Sequence, residues 1–176
     1  MLGKQLFSLF ITAALLCAFS GCSNSADTVR ASGGNNAKRH LLIAGYATDI
    51  DLTCDELFRM PEDPENRMAV SVHYYAPAGF AILEEDADWG KARPQWGSPR
   101  EQRELACNLD KMTKVFSAKG IPVIIGEYGC PKKNKEEDSV RLYLSSVCRE
   151  ASARGFCPIL WDVTDSHSVS YTHLRA

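Results

Sequence analysis

The sequence predicts an α/β protein built on a parallel sheet. Three observations carry that expectation. Four short segments of the 176 residues are almost continuously apolar and rich in Val and Ile, as strands buried on both faces should be. Two longer segments between them repeat apolar residues at helical spacing, and each closes on a glycine. Strand, helix, strand, helix, strand is the order of a parallel sheet joined by crossovers.

The first residues, "MLGKQLFSLFITAALLCAFSGC", place one basic residue, Lys4, before an apolar run from Leu6 to Phe19 and then small Ser20 and Gly21 ahead of Cys22. The run is short of the roughly 20 apolar residues of a spanning helix and reads as a secretory signal over residues 1–21. Its small-small-cysteine ending resembles a bacterial lipoprotein cleavage site, although Phe19 stands where Leu is usual. Cys22 is then the expected lipidation site, and the protein is expected to be secreted or held at the outer cell surface. Removing Lys4 with the leader leaves 19 basic against 22 acidic residues. A surface of that charge is not drawn to anionic lipid, and it lacks the basic stripe of a nucleic-acid binder. Membrane contact is expected only through the lipid.

Residues 22–36, rich in Ser, Asn, Gly and Ala, read as a tether, with Thr28 to Ala31 able to end a helix closed by Gly33. The strands follow as "HLLIAGYA" (40–47), "MAVSVHYY" (68–75), "IPVIIGEY" (121–128) and "CPILWDV" (157–163). "CDELFRM" (54–60) suggests a short crossover helix. In the next crossover Ser98 and Glu101 form a capping box and Pro99 fits the first helical position. Leu105, Leu109, Met112 and Phe116 share one face before Gly120. Val140, Tyr143, Leu144, Val147 and Ala151 make the second stripe, ended by Gly155. Such units fit a doubly wound sheet or half of a (β/α)8 barrel. No glycine-rich phosphate loop follows a strand, which counts against dinucleotide binding.

Cys54, Cys107, Cys130, Cys148 and Cys157 are scattered, with no pair at zinc spacing, and read mainly as small buried hydrophobes. The acidic run from Glu84 to Asp88 lacks the spacing and glycine of a calcium loop and reads as a solvated edge. Lys132, Lys133 and Lys135 read as a solvated turn. No metal and no cofactor is expected.

Three strands end in side chains able to do chemistry: His73 and Tyr75, Glu127, and Trp161. Each alone has a structural explanation. Together they fall on one rim, because parallel strands share the side on which they end. A carboxylate, an imidazole, a phenol and an indole gathered there suit a sugar site, where a carboxylate can attack an anomeric carbon. Trp89 and Trp96, in the long loop after the second strand, fit sugar platforms at outer subsites and equally fit two rings pinning the loop.

"SVHYY", "PVIIGEYG" and "PILWD", in that order and spacing, resemble the last three strands of glycoside hydrolase family 5, the cellulase family of (β/α)8-barrel enzymes, and "RHLLIAGY" resembles its fifth. The resemblance implies a partial barrel over residues 37–165, about four β/α units corresponding to strands five to eight. It implies retaining hydrolysis of β-1,4-linked polysaccharide or oligosaccharide, with Glu127 as nucleophile, His73 and Tyr75 lining the catalytic subsite and Trp161 as stacking platform. The family's acid/base Glu stands in an Asn-Glu-Pro element, and this sequence contains no such triplet. A closed barrel takes about 250 residues; 155 follow the leader. An incomplete and inactive fragment is therefore expected. The alternatives are a non-catalytic glycan-binding surface lipoprotein and a product that never folds. Residues 166–176, within "SHSVSYTHLRA", have no helical stripe, resemble translated adapter sequence, and are expected to form an irregular tail in which His167 and His173 have no role.

Overall fold

The computed structural model describes residues 22–162. The expected signal peptide, the Cys22 side chain and the tail with His167 and His173 lie outside what is described. Among the described residues no helix is long and apolar enough to cross a membrane.

Four strands, β1 (Leu41–Ala44), β2 (Met68–Tyr74), β3 (Val123–Tyr128) and β4 (Cys157–Leu160), form one parallel sheet in the order β1-β2-β3-β4. A doubly wound sheet reverses its strand order at a switch point, whereas consecutive barrel strands do not. Of the two architectures left open by periodicity, the sheet is therefore the barrel kind.

The principal crossovers are α4 (Pro99–Val115) and α5 (Glu137–Ala153). Ser98 caps α4 with Glu101 in a complete capping box, Pro99 opens it, and Gly120 ends the following turn at φ 81°. Helix α5 has no side-chain cap. Glu137 and Asp138 instead place negative charge against its N-terminal dipole. The expected stripes face the sheet: Leu105, Leu109, Met112 and Phe116 from α4, and Val140, Tyr143, Val147 and Ala151 from α5, are buried against Val70, Val72, Tyr74, Val123, Ile125 and Tyr128. Each fully buried large side chain contributes about 1.5–3 kcal/mol, so this layer is where the fold is held.

Four expectations need correction. Among the described residues only β2 and β3 are buried strands; β1 and β4 are edges of this sheet, with Leu42, Ile159 and Leu160 exposed, because there each pairs on one side only. The segment 22–36 is helical from Cys22 to Ala31 (α1), ending at Ala31 as the sequence allowed but starting well before Thr28, and Ala26 is buried with Ile43 and Met68, a contact distant in sequence. The short helix after β1 is α2, Ile50–Cys54, which starts before "CDELFRM". Asp49 caps it by accepting from the Leu52 N–H at 2.9 Å, and Thr53 fills the space that Gly45 leaves by lacking a Cβ. Of the five cysteines described, only Cys130 is buried, while Cys107, Cys148 and Cys157 are exposed on helices and an edge strand.

Candidate active site

Successive residues of a strand point to opposite faces. On β2 that alternation sends Val70, Val72 and Tyr74 to the helices, and Ser71 and His73 to the opposite face. Regular alternation on β3 would place Glu127 with Ile125, under the helices. The ladder prevents this: Val72 pairs with Ile125 but His73 pairs with Glu127, so Gly126 is an extra residue, a β-bulge. After it Tyr128 is buried among the helices and Glu127 turns to the face carrying His73. A Cβ on residue 126 would lie 2.7 Å from Ser71 Oγ and about 3.5 Å from the His73 ring, so glycine suits this close approach.

The result is a compact cluster. Tyr75 Oη donates to Glu127 Oε2 at 2.9 Å, and His73 Nδ1 lies 3.3 Å from the same oxygen. The His73 and Tyr75 rings meet edge to face at 6.4 Å. His73 and Glu127 are partly buried, with side chains 29% and 26% exposed, so the cluster is reachable from solvent yet shielded. Burial lowers the His73 pKa more than the adjacent carboxylate raises it. The close His73–Glu127 pair is thus a contact with a neutral imidazole near pH 7. Burial first, and then the Glu127 charge, hold the Tyr75 phenol above its ordinary value, so it remains a donor.

Trp161 follows β4 at the same rim. Its backbone N–H donates to the Tyr128 carbonyl at 2.9 Å, its backbone carbonyl passes close over Gly129, and the residue is 40% exposed. Trp89 is more exposed still, at 64%. Trp96 is not available to a sugar. It is buried, meeting Tyr143 edge to face at 5.2 Å, and thus pins the loop, the second of its two expected roles; a large apolar ring placed beside the core is drawn into it.

Some features were not anticipated. An open groove of about 740 Å³ lies beside His73 and Tyr75, walled also by Asp49, Ile50, Glu104 and Lys111, with Glu127 outside its lining. Its walls come from four separate stretches of the chain, which no single pattern reveals. The Lys133–Glu136 turn and the 84–88 acidic run are not simply solvated: Lys133 pairs with Glu84 and Glu85, and Lys135 is enclosed by carbonyls. The bulge had one visible signal, an isolated glycine inside an apolar strand. Among the described residues no cluster of His, Cys, Asp and Glu could hold a metal ion.

A family model described as Cellulase (glycosyl hydrolase family 5) matches residues 20–167. Endoglucanase 1 of Ruminococcus albus is 35% identical over 135 residues, which are 77% of this chain and 30% of that protein. Among solved structures, a GH5-4 broad specificity endoglucanase from an uncultured bovine rumen ciliate superposes with a TM-score of 0.74 at 35% identity, covering 82% of this chain and 44% of that one. A GH5 lichenase from Caldicellulosiruptor sp. F32, solved with cellotetraose, superposes at 0.72 and 34% identity, covering 80% and 38%. The chain spans about 30% of the length of the first curated relatives it matches. By strand order, rim motifs and matched length alike, the chain belongs to glycosyl hydrolase family 5, the cellulase family.

Proposed function

We propose that the protein acts in retaining hydrolysis of β-1,4-linked glucan, with Glu127 as the nucleophile. The observation that carries this reading is the convergence of Tyr75 and His73 on one oxygen of the Glu127 carboxylate. Both contacts fall on Oε2, which leaves Oε1 as the atom to attack. In the first step Oε1 bonds to the anomeric carbon as the glycosidic C–O bond breaks, and an acid protonates the departing oxygen. In the second, water displaces the carboxylate and the configuration is retained. The phenol orients the carboxylate, and a neutral His73 leaves its charge uncompensated and nucleophilic. Trp161 offers a ring at the same rim for the sugar to stack on. The relatives' names and the cellotetraose complex favour a β-glucan as substrate.

The acid is the part this chain does not provide in the family's form, since none of its residues forms Asn-Glu-Pro. On its own, then, the chain should cleave only glycosides whose leaving group departs unprotonated. A dinitrophenyl cellobioside bearing fluorine beside the anomeric carbon is such a reagent and traps the glycosyl-enzyme. Mass spectrometry of the purified chain should find the fluoro-cellobiosyl group on Glu127, and none on Glu127→Gln, while natural β-glucan is left nearly uncut. A folded chain that stays unlabelled, or is labelled elsewhere, refutes the assignment. Glycan affinity that survives Glu127→Gln but not Trp161→Ala, without labelling, would instead favour a binding protein. We also place the protein outside the cytoplasm with a lipid on Cys22, on the strength of its leader; palmitate incorporation that persists in Cys22→Ser would contradict this.

A further inference from the structure

The loop between β2 and α4 carries the exposed ring of Trp89, and besides the anchor of Trp96 it is tied down by a short turn after β3. The Lys135 ammonium donates to three carbonyls of that loop, Leu83 at 2.5 Å, Arg93 at 2.8 Å and Gly79 at 3.1 Å, and stands 5.4 Å over the buried Phe80 ring. The three acceptors come from both ends of the loop, so this cation reinforces a closure that the Arg93 N–H also makes directly by donating to the Gly79 carbonyl at 2.8 Å. Neighbouring residues fasten the same seam. Asn134 donates to the Glu84 carbonyl at 3.2 Å, the Glu136 N–H donates to the Pro94 carbonyl at 2.9 Å, and Gln95 donates to the Glu136 carboxylate at 2.6 Å.

Inside the closed loop a tight hairpin displays Trp89. Ala87 and Gly90 exchange backbone hydrogen bonds at 3.0 and 3.1 Å, leaving Asp88 and Trp89 at the tip. Asp86 fixes the base by accepting from the Ala92 N–H at 2.9 Å and from Lys91 at 2.7 Å. An indole that is mostly exposed, on backbone held at both ends, is arranged to bind without further ordering. The pairs Lys133–Glu85 and Lys91–Asp86 are solvent-exposed and screened, and so tie the loop weakly. The partly desolvated Lys135, bonded three times, is the stronger tie.

We propose that Lys135 is a positioning residue that clamps the 79–96 loop so that Trp89 serves as an outer sugar platform for long β-glucan chains. The proposal rests on the glycosidase reading above. Lys135 touches no substrate; it acts through the loop.

The test compares the full chain with Lys135→Met, Trp89→Ala and the double variant. Two quantities are measured, affinity for cellohexaose by calorimetry and the maximal rate of Glu127 labelling by the fluoro-cellobioside. Lys135→Met and Trp89→Ala should each weaken cellohexaose binding roughly tenfold, and the double variant no further. Lys135→Met should keep the maximal labelling rate, a split that general destabilisation would not produce. Unchanged cellohexaose affinity in Lys135→Met, or losses that multiply in the double variant, overturn the clamp. Should Lys135→Met not fold, Gln95→Ala, which removes the single side-chain bond to Glu136 in the same seam, should give the same pattern at smaller size, and its absence counts equally against the clamp. A wild-type chain that is neither labelled nor bound by cellohexaose refutes the underlying glycosidase reading. One that is labelled, with Trp89→Ala binding cellohexaose as well as wild type, refutes the clamp alone.

Discussion

Gly126 is where the fold decides that Glu127 faces His73, and Gly126→Ala tests that decision directly. The added methyl would sit 2.7 Å from Ser71 Oγ, where ordinary contact begins at 3.4 Å. Ser71 is 5% exposed in the middle of β2, so the overlap has little room for relief. Overpacking of this size costs about 1–3 kcal/mol. The next atoms, His73 Cδ2 and Nε2, lie at 3.5 and 3.6 Å, within ordinary contact. Removing Oγ alone should therefore relieve the strain. We expect Gly126→Ala to lose about 2 kcal/mol and Ser71→Ala about 1 kcal/mol or less. The double variant should fall within about 0.5 kcal/mol of Ser71→Ala. Urea unfolding at constant slope measures all three. Labelling by the fluoro-cellobioside should slow in Gly126→Ala, because His73 and the bulge move together, and recover in the double variant. Additive losses, or a Gly126→Ala chain as stable and as readily labelled as wild type, would show that the bulge does not need the glycine.

Two further outcomes are expected. Tyr75→Phe removes the charge-assisted hydrogen bond to Oε2, a loss of about 1.5–3 kcal/mol that should slow Glu127 labelling on the order of ten- to a hundredfold; an unchanged rate would deny Tyr75 its orienting role. His73 has a folded pKa below its ordinary 6.5, so its contribution to stability is complete above that value and is lost as pH falls toward the folded pKa. A His73→Gln chain should accordingly show a flatter stability profile than wild type as pH falls below 6.5, and parallel profiles would refute the burial argument.

What the sequence determined by itself is local or ordered along the chain. Two helical stripes, a capping box, four apolar segments and three rim motifs in fixed order were enough to anticipate a parallel sheet, its helical layer and the meeting of His73, Tyr75 and Glu127. These are legible because each depends on neighbours within a turn or a strand, and because parallel strands must end on one side. Tertiary structure decided the rest. Apolar runs could not show that β1 and β4 are edges, since pairing is a property of the whole sheet. Nor could Trp96 be told from Trp89 by sequence: one meets Tyr143 and is buried, the other stands on a hairpin tip. Lysines 133 and 135 look like any polar turn until the loop from 79 to 96 folds onto them. The face that Glu127 occupies was settled by one extra residue in a ladder, because strand alternation has a period of two and a single insertion reverses it.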